Sequence, residues 1–189
     1  MRPLVTALLV LAPFAATAQK PEVPAAARSK VLADALKAKK QRVPAVNFEM
    51  VGNGLKLPGR VTFAAGTDRL DPISDPVLEF TLDYLSAKPD VTLLRVEGHT
   101  DDTGTPAVNQ ALSEKRAMAV ARWLIGNGVA CARLLPVGFG QTKPLVVNSS
   151  PANRATNARI EFISAAIRGK PIGNAPVDGG GRVAGDPCR

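Results

Sequence analysis

Between Val91 and Phe139 the hydrophobic period changes twice, and this constrains the fold more than any other feature of the chain. Val91 to Glu97 is a short Val- and Leu-rich run of strand type. Thr105-Pro106 then caps and opens a long helical pattern, which stops at Gly126-Asn127-Gly128. Leu134 to Phe139 is strand-like again. Upstream, Val46 to Val51 alternates, and Asn53-Gly54 signals a hairpin turn before Leu55 and Leu57, with Val61-Thr62-Phe63 extending the second arm. Asp71-Pro72 and Asp75-Pro76 open a helix carrying Leu78, Phe80, Leu82, Tyr84 and Leu85, closed by Pro89. After a connecting segment, Ala158 to Ile163 reads as a last strand. The predicted fold class is α/β (α+β). It is a two-layer sandwich with a β-α-β-α-β-β core, an amino-terminal hairpin, and helices on one face of a mixed sheet.

The ends of the 189-residue chain differ from its middle. Met1-Arg2, an apolar stretch and Ala16-Thr17-Ala18 have the form of a secretory signal over residues 1–18, with an uncleaved membrane anchor as the alternative. The apolar stretch carries Pro3 and Pro13 and falls short of the roughly 20 residues a spanning helix needs, which favours cleavage and export to the periplasm. Residues 19–42 are basic and Ala-rich, with Val31, Leu32, Ala35 and Leu36 at helical spacing. Residues 43–167 form the predicted domain, and the Gly- and Pro-rich residues 168–189 read as a flexible tail. Export would allow Cys131 and Cys188 to pair, two free thiols being the alternative.

The formal charge of +8 has a simple distribution. Twelve basic and twelve acidic residues balance within 43–167, so the excess sits in the end segments. The domain therefore lacks the basic stripe of a nucleic-acid-binding face. One His and two Cys leave little from which to assemble a metal or His-dependent catalytic site, so no metal, no cofactor and no catalytic set is expected. His99 is expected to serve as a hydrogen-bonding loop residue.

One cation stands out. At about 100° per residue, Val108, Leu112, Ala119, Val120 and Trp123 make one stripe of the long helix, taken as the sheet-facing side, and Arg116 falls near its middle. A buried Arg needs a partner, and the loop Glu97-Gly98-His99-Thr100-Asp101-Asp102-Thr103-Gly104 carries carboxylates toward it. Asp101 and Arg116 could form a salt bridge that fastens loop to helix. They could equally flank a cleft for a zwitterionic ligand, with Arg forking onto a carboxylate and Asp accepting from an ammonium group.

At these residues the chain resembles the OmpA-like carboxy-terminal domain, a peptidoglycan-binding module also found in peptidoglycan-associated lipoproteins and flagellar stator proteins. The resemblance covers roughly residues 43–167. It is carried by Val96-Glu97-Gly98-His99-Thr100-Asp101-Asp102-Thr103-Gly104, Asn109, Leu112-Ser113 and Arg116-Ala117, then by Val137-Gly138-Phe139-Gly140 with Pro144, and Asn157 to Phe162. Val61-Thr62-Phe63 with Gly66 and Leu70 resembles the family's first motif. The resemblance implies a non-catalytic binder of the peptidoglycan stem peptide, often through diaminopimelate. Asp101 would take the ligand's ammonium and Arg116 its carboxylate, with Asn109 and Thr103 as supporting contacts and the Gly66 loop as another wall. Ala158 departs from the family's Asn-Arg-Arg, so a contact made there by the first Arg is lost unless Arg154 replaces it; Arg159 remains as an additional candidate. No series of barrel strands precedes the domain, which leads to the expectation of a stand-alone exported module. The alternative role is an adaptor whose basic arm docks on outer-membrane or other envelope proteins.

Overall fold

A computed structural model describes residues 47–189 of the protein. The signal and basic segments expected over 1–18 and 19–42 lie outside the described residues. β1 (Met50–Val51) and β2 (Gly54–Leu55) form the expected hairpin, which joins the sheet where Gly54 pairs with Ile163. Val61 to Phe63 does not extend its second arm. Phe63 instead pairs with Leu70 across a small loop, and Ser74 Oγ binds both backbone groups of Thr62. Asp71 accepts from Ile73 N to cap a short 3-10 turn, which leads into α1 (Asp75–Ala87).

β3 (Val91–His99) pairs in parallel with β4 (Leu134–Gly140) and antiparallel with β5 (Ile160–Ile167). The chain crosses from β3 to β4 through α2 (Pro106–Gly126), whose Thr105 cap accepts from Val108 N. The result is an open mixed sheet in the order β1-β2-β5-β3-β4, extended by edge pieces described below. Leu94 and Val96 of β3 and Ile160 and Phe162 of β5 meet Leu78 and Leu85 of α1 and Val120 and Leu124 of α2 in one buried core.

The buried side of α2 is rotated from the expected stripe. Asn109, Ser113, Ala117, Val120, Ala121 and Leu124 face inward, whereas Val108 is 59% exposed and Leu112, Ala119 and Trp123 are only partly buried. The small inward residues allow the helix backbone to lie against strand glycines. A Cβ on Gly98 would stand 2.2 Å from Ser113 O, and one on Gly138 would stand 2.6 Å from Ser113 Oγ. A hydrophobicity stripe misses such a contact because Ser and Ala score weakly.

Two further differences follow the chain. The connecting segment contains a seven-residue helix, α3 (Pro151–Asn157), started by Ser150, whose side chain accepts from Asn153 N. Its Asn157 is fully buried and binds the backbone of Leu145 and Val146 and the Asn148 side chain, pinning the preceding loop. The tail, expected to be flexible, is instead tied to the sheet. β6 (Lys170–Pro171) pairs with β5, and β7 (Arg182–Val183) pairs with the outer edge of β4. Cys131 and Cys188 are bonded, closing the tail back onto the turn before β4. Glycine here permits contact: a Cβ on Gly181 would stand 2.4 Å from Val137 Cγ1 and 2.7 Å from Phe139 Cζ.

Candidate functional site

The ends of β3 and α2 converge on the loop 100–105, and the Phe63–Leu70 loop approaches the same helix from the side. Arg116 links the two regions. Its Nε donates to Thr67 O at 2.9 Å, and its guanidinium carbon lies 4.9 Å from the Phe63 ring centroid. Burial lowers the Arg116 pKa from its usual value, and the charges of Asp101 and then Asp68 act against that shift. Asp101 acts on the guanidinium through space, and among the described residues Arg116 makes no direct ion pair. Its Nη groups make no hydrogen bond among the described residues, so the fork that could meet a carboxylate stays available.

Asp101 is held from the other side. Its Oδ1 accepts from Thr103 N at 2.9 Å and from the Thr103 hydroxyl. This fixes the carboxylate in an Asx-type turn and leaves Oδ2 without a protein partner among the described residues. Asn109 is buried beneath the loop, donating to Asp101 O at 3.1 Å and to Gln141 Oε1 at 2.6 Å. It is placed to support the loop rather than to reach into solvent. Gly66 turns the tip of the neighbouring loop at φ 69°, a left-handed conformation open to glycine.

The remaining candidates separate. Arg159 is saturated: it donates to Glu161 Oε1 at 2.6 Å and to the carbonyls of Lys143 and Asn157. Arg154 is half-exposed, with Nε 3.4 Å from Asp102 Oδ1, so it borders the Asp101 loop through the next residue. Ala158 N completes the last turn of α3 by bonding Arg154 O, and Arg60 donates to Ala158 O at 3.0 Å. His99 is not a hydrogen-bonding loop residue. It ends β3, is 1% exposed, stacks on Phe139 at 5.2 Å, and neither ring nitrogen makes a hydrogen bond of normal geometry among the described residues. Thr67 and Gln141 are the neighbours that sequence reasoning missed. Phe63 and Gly66 frame Thr67 in the chain, but Gln141 carries no local signal.

Residues 62–158 match the OmpA family, and the chain belongs to it. Among curated relatives, the peptidoglycan-binding protein ArfA of Mycobacterium bovis is 35% identical over 56% of this chain, and the aligned region spans only 32% of that relative. The outer-membrane lipoprotein YfiB of Pseudomonas aeruginosa is 36% identical over 61% of this chain and 70% of its own length. Among solved structures, the peptidoglycan-associated lipoprotein from Burkholderia pseudomallei superposes with a TM-score of 0.50 at 30% identity, covering 57% of this chain and 89% of its own. The cell wall anchor of the type VI secretion system from Pseudomonas aeruginosa matches with a TM-score of 0.51 at 26% identity, over 71% of this chain and 93% of that one.

Proposed function

We propose that the cleft between Asp101 and Arg116 binds the stem peptide of peptidoglycan without catalysing its cleavage, and that the protein thereby holds an envelope component to the cell wall. One observation carries the reading: Arg116 is partly buried, yet among the described residues its fork is not committed to a carboxylate. Asp101, its carboxylate anchored through one oxygen, offers the other to an ammonium group. A diaminopimelate side chain supplies both charges at one end, which suits an Asp and an Arg acting together. The names of the mycobacterial and Burkholderia relatives support the ligand class, and that of the secretion-system anchor supports an anchoring role. The signal-like pattern of residues 1–18 supports export, and with it a periplasmic setting for the module.

Sedimentation with purified sacculi tests the reading. Wild type should pellet with diaminopimelate-containing sacculi, while Asp101→Ala and Arg116→Ala should stay largely in the supernatant. Arg116→Lys should recover little, because an ammonium lacks the planar fork. Equal pelleting by all four proteins would overturn the site. Equal pelleting of the wild type with lysine-type sacculi would overturn the diaminopimelate preference alone.

A further inference from the structure

On the sheet face opposite α1 and α2, the register brings together three groups that lie far apart in the chain. Glu97 of β3 sits directly opposite Glu161 of β5. Two carboxylates facing each other across a strand pair repel unless positive charge stands near them. Arg95 donates to Glu97 Oε1 at 2.6 Å, and Arg159 donates to Glu161 Oε1 at 2.6 Å. Each carboxylate thus gives one oxygen to an arginine and turns the other toward His99, whose Nε2 is 3.3 Å from Glu97 Oε2 and 4.0 Å from Glu161 Oε2. The imidazole is 1% exposed, and neither nitrogen makes a hydrogen bond of normal geometry among the described residues. A buried polar ring without a well-formed hydrogen bond is costly, and a ligand bridging Nε2 to the two carboxylates would relieve part of that cost.

We propose that Glu97, His99 and Glu161 form a site for a divalent transition-metal ion of the zinc class. One ligand atom from each residue lies within 4.8 Å of the others. Ligands about 2.0–2.2 Å from a tetrahedral zinc stand about 3.4 Å apart, so small side-chain rotations close the set. The two arginines orient the carboxylates as outer-shell partners and leave each free to bind through a single oxygen. They also cancel the two negative charges. A hard cation such as calcium or magnesium, which relies on several oxygens and on negative charge, gains little here, whereas a nitrogen donor favours zinc. Glu161 is the most open of the three, at 33% side-chain exposure, and marks the side from which an ion and a water ligand would enter.

The chain has one His, so a single imidazole reports on the site. The full chain, purified without a polyhistidine tag, is titrated with zinc chloride while binding heat and the imidazole 15N shifts are followed. One zinc per chain with a shifted His99 signal is expected. Glu161→Gln should weaken that binding at least as much as losing an outer-shell partner does, about 10–100-fold. Absence of saturable binding, or zinc binding that leaves the imidazole signals unmoved, would overturn the proposal. The wild-type imidazole signal remains decisive even if the Glu161→Gln variant fails to fold. Magnesium producing the same shift at the same concentration would overturn the zinc-class assignment.

Discussion

The two faces of β3 are built on opposite principles. Toward the helices it presents Leu94, Val96 and Gly98, a dry surface whose cohesion is apolar burial and close backbone approach. Toward the tail it presents Arg95 and Glu97, which pair with each other, and His99, whose Nε2 lies 3.3 Å from Glu97 Oε2. There the cover is thin. Arg95 donates to Val177 O, Lys143 Nζ donates to Gly179 O and lies 3.8 Å from the Phe139 ring centroid, and the Cys131–Cys188 bond fastens the covering segment. Burial lends to raise the Glu97 pKa, but His99 and Arg95 outweigh it and hold the carboxyl below its usual value. An apolar face tolerates approximate partners, whereas a charged face must be enclosed with matched groups.

This contrast can be broken by mutation. Phe162→Ala, at a fully buried position of the helix-facing core, should cost about 3–5 kcal/mol in urea unfolding. Replacing Cys131 and Cys188 together by Ser should cost about 2–4 kcal/mol, since the bond closes a separation of 57 residues. Amide exchange near Arg182–Val183 should accelerate more than exchange in α2; uniform acceleration would mean that the two faces are not separable. Gly98→Ala forces a Cβ against backbone rather than a flexible side chain, and should cost about 1–3 kcal/mol. Lys143→Ala should cost the least, about 0.5–1 kcal/mol, with the loss confined to protection of the tail.

The helix-facing side was largely legible in the sequence. The strand-type run of β3, the Thr105-Pro106 start and the glycine stop of α2 each act locally, so the elements stand where the pattern puts them. The exact buried side of α2 was not legible, because Ser113 faces inward against glycines on two strands, Gly98 of β3 and Gly138 of β4. The tail was misjudged for a related reason. Gly and Pro describe a backbone that turns freely, but not whether another surface awaits it. At the candidate cleft, Asp101 and Arg116 could be chosen from the motif, although the stripe that singled out Arg116 is not the sheet-facing side, while Gln141 beside Asn109 depends on β4 ending near α2. The grouping of Glu97, His99 and Glu161 required strand register, which composition cannot supply.

The bond between Cys131 and Cys188 also bears on survival among proteases. The exposed loop 141–150, with Leu145 and Val147 uncovered, lies inside the covalent ring that the bond closes. A single cut in that loop would sever the backbone between β4 and β5, yet both pieces would stay on one molecule until a reductant reached the bond.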